Sequence, residues 1–122
     1  QDRTFRDGKV LIGSSNFPTD FHLGVRKGIM TEQFKVQTYG EWADYVFDEG
    51  YTLTPLVEVE DFIKTNGHLP NVPSAKIVET EGINVGEMTK IQQEKIEELT
   101  LYIIDQNKRI EKSDDFIRYL SF

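Results

Sequence analysis

Cysteine is absent from the 122 residues, tryptophan occurs once, histidine twice and proline four times. Without thiols there is no disulfide framework, no thiolate zinc site and no cysteine nucleophile. Long apolar runs are also lacking. Stretches such as Val10-Leu11-Ile12 and Tyr45-Val46-Phe47 fall far short of the roughly 20 residues a membrane-spanning helix needs. Basic charge is in deficit, with 14 Lys and Arg against 21 Asp and Glu and a net charge of -7. A non-specific grip on nucleic acid or on an anionic membrane is therefore disfavoured. Residues 1–8 are charged and carry no apolar core of a signal peptide, so any targeting signal is expected either to have been removed or to lie upstream in a longer parent.

What is present fits one module, with 38% hydrophobic and 29% charged residues. The charge is uneven. Residues 1–40 hold six basic and four acidic groups, whereas residues 41–122 hold eight basic and seventeen acidic, so the two parts carry +2 and -9. The expected organisation is a β-rich segment over 1–40, an aromatic turn, amphipathic helix and proline-rich loop over 41–83, and a coiled-coil helix over 84–122.

Glycines punctuate the first part, with short strands expected at Lys9 to Ile12, Phe21 to Val25 and Ile29 to Val36. Phe21, Leu23 and Val25 alternate with His22 and Gly24, and Phe34 and Val36 alternate with polar residues, giving one small apolar face each. About five inward side chains cannot offset the conformational entropy of forty residues, so this stretch is expected to complete its core with other chains or with an upstream segment.

Further along, Thr54 as N-cap and Pro55 at the first helical position open an amphipathic helix. Its apolar face is Leu56, Val59, Phe62 and Ile63, and it stops at Asn66-Gly67. Pro70 and Pro73 favour an extended path through residues 68–73. Ser74 caps a short turn that Gly82 ends. From Val85 onward the period becomes a heptad. Thr89, Ile96, Ile103, Ile110 and Ile117 occupy position a, and Val85, Gln92, Leu99, Gln106, Ser113 and Leu120 occupy d. Isoleucine at a with leucine at d suits two strands, but glutamine takes two of the d sites, where amides can meet around a three-fold axis. The expected axis residues are Ile96, Leu99, Ile103, Gln106, Ile110, Ile117 and Leu120 of a homotrimer. One amphipathic helix in a monomeric bundle is the alternative. Leu101 and Ile104 lie off this seam, so the Leu56, Val59, Phe62 and Ile63 face is expected to jacket them.

Sites for chemistry fare less well. His68 lacks carboxylates at ligand spacing, and Asp44, Asp48 and Glu49 do not match a calcium loop. Glu58, Glu60 and Asp61 sit on a polar helix face with nothing to raise the pKa of either member of a pair. Trp42, Tyr45, Phe47 and Tyr51 read either as core anchors or as a sugar-stacking platform, in which Trp42, Tyr45 and Tyr51 would contact a receptor.

Several segments together resemble a known module. They run in order through Gly8-Lys9-Val10-Leu11-Ile12-Gly13, Phe21-His22-Leu23-Gly24-Val25, Trp42-Ala43-Asp44-Tyr45-Val46-Phe47, Val57-Glu58-Val59-Glu60-Asp61-Phe62-Ile63, His68-Leu69-Pro70-Asn71-Val72-Pro73, Gly82-Ile83-Asn84-Val85-Gly86-Glu87-Met88 and Lys95-Ile96-Glu97-Glu98-Leu99. Over residues 8 to about 106 the string is similar to the C-terminal module of tail-fibre-like proteins of Bacteroidetes bacteria and their phages. That module is broadly similar in role to endosialidase-type intramolecular chaperone domains. The resemblance implies an α+β fold, with a short N-terminal β shaft segment, then helices and a C-terminal parallel coiled coil, assembled as a homotrimer. It implies a structural trimerisation and folding module of a virion tail fibre or cell-surface fibre, without cofactor, whose partners are itself and the upstream shaft. A distal receptor-binding tip is the alternative. Some such chaperones cut themselves at a Ser-Asp junction near their start. Here the only Ser-Asp pair, Ser113-Asp114, lies in the last helix, and nothing places His22 or His68 beside Ser14 or Ser15, so self-cleavage is not expected.

Overall fold

The computed structural model describes residues 3–6, by backbone alone, together with 8–18, 20–37, 40 and 42–121. The chain divides into two units, Gln1–Lys35 and Val36–Phe122.

The first unit is a three-stranded sheet in the order β1 (Arg3–Arg6), β2 (Lys9–Ile12) and β3 (Leu23–Val25). β1 and β2 are antiparallel, with Arg6 opposite Lys9, and β2 runs parallel to β3, with Leu11 opposite Gly24. Bonds from Val10 N–H to the His22 carbonyl, 2.7 Å, and from Arg26 N–H to the Ile12 carbonyl, 2.9 Å, extend the parallel ladder at both ends. Gly24 is required there. A Cβ on it would stand 2.6 Å from the Phe17 ring, which lies against the backbone of β3. Leu11 is the one buried hydrophobic side chain of this unit among the described residues.

The strand expected at Ile29 to Val36 does not form, and Ile29, Met30, Phe34 and Val36 are all exposed. Alternation supplies an apolar face, but a strand also needs a neighbour to take up its backbone groups. Within the chain nothing pairs with this segment among the described residues.

The second unit is helical. α1 (Leu56–Asn66) begins one residue later than the sequence suggests, because Pro55 has an extended ψ of 140° and itself stands at the N-cap. The Pro55 carbonyl accepts from Glu58 and Val59 N–H, while the Thr54 carbonyl is taken by the Tyr102 hydroxyl. Gly67 closes α1 in the left-handed region, φ 75°, donating its N–H to Ile63. The 68–73 segment is not extended throughout. Pro70 and Asn71 make a turn, with Asn71 at φ 61° and Val72 N–H bonded to the Leu69 carbonyl. Proline presets the first central turn position and asparagine tolerates the left-handed second one. Ser74 Oγ caps α2 (Ala75–Glu81), and Asn84 Oδ1 caps α3 (Val85–Leu120) by accepting from Glu87 N–H at 3.0 Å. α3 has 36 residues and is about 54 Å long at 1.5 Å per residue.

The molecule exposes 11,006 Å². A compact monomer of 14.1 kDa would expose about 6,700 Å², and two separate compact units of these sizes about 8,000 Å². The fold thus places β strands before three helices, ends in one long helix and leaves most of its apolar side chains uncovered, consistent with an oligomer.

Candidate functional site

α3 is covered on one side only. At about 100° per residue, Glu97, Leu101, Glu94, Glu98, Tyr102 and Lys95 fall in one continuous arc, and all six are buried or half-buried. Leu99, Gln92, Ile103, Ile96, Thr100 and Ile104 lie in the remaining arc and are exposed, with a half-buried Gln93 between the last two. The second arc contains the a and d positions of the heptad.

Residues 42–54 cover the first arc. Ala43 and Val46 are fully buried in this turn, and Tyr45 and Tyr51 pack ring to ring at 5.9 Å. The Tyr45 hydroxyl donates to Glu94, the Tyr51 hydroxyl to Glu98, and the Tyr102 hydroxyl to the Thr54 carbonyl. Lys95 Nζ bridges Glu94 at 3.3 Å and Glu98 at 3.1 Å, so the tyrosine acceptors form one charged network with all three side chains largely covered. The bond to Glu94, followed by burial, pushes the Tyr45 pKa up to about 12. Burial, followed by the bond to Glu98, pushes that of Tyr51 up as well. Of the three aromatics assigned to a receptor, Tyr45 and Tyr51 are half-buried with their hydroxyls engaged on α3, whereas Trp42 is 45% exposed.

The heptad positions stand outside this cover. Ile96, Leu99, Ile103, Ile110, Ile117 and Leu120 are each between 56% and 63% exposed, and Gln106 is exposed between them. The threonines on this side turn their hydroxyls to the helix itself, Thr89 to the Val85 carbonyl at 2.7 Å and Thr100 to Ile96 at 2.8 Å, leaving their methyl groups outward. The result is an apolar stripe interrupted by Gln92, Gln106 and Ser113, on a helix whose other exposed positions are mostly polar or charged, Ile104, Phe116 and Tyr119 excepted.

Beside the stripe lies α1. Leu56 and Val59, with Leu69 and Pro70 of the turn, line a cleft of about 260 Å³ whose opposite wall is Lys95, Glu98, Leu99 and Tyr102. Phe62 is half-buried and meets the His68 ring edge-on at 5.6 Å, and Ile63 is 42% exposed. The expected jacket face thus approaches α3 at Leu99 and Tyr102. Leu101 is half-buried in the covered arc, and Ile104 is 45% exposed. His68 Nδ1 lies 2.9 Å from the Leu69 carbonyl. The tyrosine–glutamate pairs are the features that sequence reasoning missed, joining residues 49 and 47 positions apart.

Among known proteins, no family model, no curated protein and no solved structure matches the chain.

Proposed function

We propose that this chain is the C-terminal trimerisation and folding module of a fibre, in which three copies of α3 associate in parallel along the a and d stripe. The observation that carries the reading is the isoleucine column Ile96, Ile103, Ile110 and Ile117, exposed over three heptads: beside the turn it lies on the side of α3 that residues 42–54 leave open, and beyond Tyr102 every described residue of the helix is exposed. An apolar stripe of this length is a site of association, since monomeric proteins rarely expose contiguous patches beyond a few hundred Å². The glutamines at d interrupt the leucine pattern that suits two strands, and their amides can meet around a three-fold axis. The excess of about 3,000–4,300 Å² over compact expectation is of the size that obligate assemblies bury per interface.

The mechanism is to order a slow step by a fast one. Helical contacts are local and form quickly, whereas strand pairing between chains is non-local. Association of α3 holds three copies of residues 1–40 at high effective concentration, so the unpaired 29–36 segments can find partners on neighbouring chains. The module is structural rather than enzymatic, and it belongs to a tail fibre or a cell-surface fibre, as the resemblance of residues 8–106 supports. Size exclusion with light scattering tests the reading. The expected mass is about three times 14.1 kDa, and a particle of one chain would sink it. Ile103→Asp with Ile110→Asp should abolish assembly, because charges at a cannot be desolvated along the axis.

The exposure of Trp42 favours a second reading, a receptor contact at the fibre's tip. As the only tryptophan, it reports directly by fluorescence. Strong acrylamide quenching in the assembled particle supports this reading, and protection argues against it.

A further inference from the structure

The uncovered arc of α3 has two different edges. One is the cleft with an apolar wall of Leu56, Val59 and Leu69. The other is Ile104, a large apolar side chain 45% exposed, turned about 140° around the helix from Leu99. Cleft and side chain lie at one level along the axis. Leu56 lines the 260 Å³ cleft beside Leu99 and Tyr102 and also a second one, of about 370 Å³, beside Tyr102, Asp105, Gln106 and Arg109. Residue 104 falls between those levels, on the far side of the same helix.

In a ring of identical chains each copy shows one face to one neighbour and a different face to the other. We infer that the cleft of each copy receives Ile104 of the adjacent copy, so that α1 jackets a neighbour's coiled-coil helix rather than its own. This rests on the trimeric reading and deepens it. The heptad supports the pairing of edges. Lys95, Tyr102 and Arg109 are at g on the cleft side, and Thr100, Asn107 and Asp114 at e on the side toward Ile104. In a parallel coiled coil each g residue faces the e residue five positions later on the next chain. Arg109 then meets Asp114, opposite in charge, and Tyr102 meets Asn107. An antiparallel arrangement would instead set g against g and bring Lys95 and Arg109 onto the same flank. Arg109 Nε lies 3.1 Å from Asp105 Oδ2 in its own helix, and a guanidinium with five N–H donors can serve both carboxylates.

Because the chain has no cysteine, engineered pairs report without background. Leu56→Cys and Ile104→Cys single variants of the 122-residue chain are refolded together and treated with a short bismaleimide, while the mass of the uncoupled particle is measured in parallel. Arg109→Cys with Asp114→Cys forms a second pair at exposed, charged positions, which leaves apolar packing untouched. Covalent two-chain species from the mixed single variants, and a covalent three-chain species from the Leu56→Cys, Ile104→Cys double variant, are the expected products. A three-chain particle in which the Arg109→Cys, Asp114→Cys pair cross-links between chains but the Leu56–Ile104 pair does not would place the jacket within its own chain and overturn the inference, leaving the trimer intact. Failure of both pairs in a three-chain particle would overturn the parallel pairing of edges and the inference with it. Two-chain products alone from the double variant would indicate a reciprocal two-fold contact and overturn it as well. A particle of one chain would remove the trimeric reading itself, and this inference with it.

Discussion

Tyr45 and Tyr51 show how single hydroxyls fix the covered side of α3. Each donates to a carboxylate that stands beside a Lys95 ammonium, so each replaces water on a charged acceptor. Tyr45→Phe or Tyr51→Phe should cost about 1–2 kcal/mol at neutral pH, since a partly buried carboxylate loses a donor. The sign of the pH effect follows from the direction of the shifts. Both hydroxyls have folded pKa values above the unfolded value of about 10, so folding favours the protonated form. Their contribution is complete below about pH 10 and is lost as pH rises through the folded values, which for Tyr45 means between pH 10 and about 12. Denaturant titrations at pH 8, 10, 11 and 12 should show stability falling over that window, with a shallower fall in either phenylalanine variant. An equal slope in all three proteins would mean that the hydroxyls are not the titrating groups. Glu97 presents the opposite case. It is 8% exposed, accepts from Gln93 Nε2 at 3.4 Å through one oxygen, and among the described residues has no hydrogen-bond partner for the other. Glu97→Gln is expected to raise the melting temperature, because a buried charge without full hydrogen bonding is costly. A fall would mean that the carboxylate pairs with a group outside its own chain.

At the scale of elements, α3 was legible because a heptad is a local, repeated signal, and its N-cap at Asn84 followed by Glu87 marks where it begins. α1 was legible for the same reason, apart from the single residue by which Pro55 delays its start. The sheet was read less well. In β1 a lone Phe5 stands among Arg3, Thr4 and Arg6, which gives no alternation to detect. Residues 29–36 do alternate, yet they lack a neighbour in the chain, and pairing is a property of two segments rather than one. The cover on α3 was invisible because polar contacts between distant residues leave no period. The glutamines of α3 carry the most testable element-level content. With Gln92→Leu and Gln106→Leu, isoleucine at a would face leucine at d through the central heptads, the combination that suits two strands. The double variant should melt at a higher temperature and shift in mass from three chains toward two by light scattering. A more stable particle still of three chains would mean that the jacket, not the seam, sets the number of strands.

For the whole molecule, the decisive quantity is the 11,006 Å² of surface, too large for a self-contained chain even when its two units are considered separately. If three copies associate as proposed, stability depends on concentration, because partner chains bind the folded form and not the unfolded one. Serial dilution should lower the melting temperature of the 122-residue chain, whereas a self-contained monomer would melt at one temperature throughout. The same dilution separates the roles of the two units. The sheet of residues 1–35 buries Leu11 and little else among its described side chains, so its ladder should not outlast the assembly. Hydrogen exchange at Val10 and Arg26, whose N–H groups bond to the His22 and Ile12 carbonyls, reads that ladder directly. The expected result is that protection at these two amides disappears over the same dilution range in which α3 amides around Ile103 lose theirs. Strand amides that stay protected in dissociated chains would show that the sheet stands alone, and the helical bundle would then have no part in holding it.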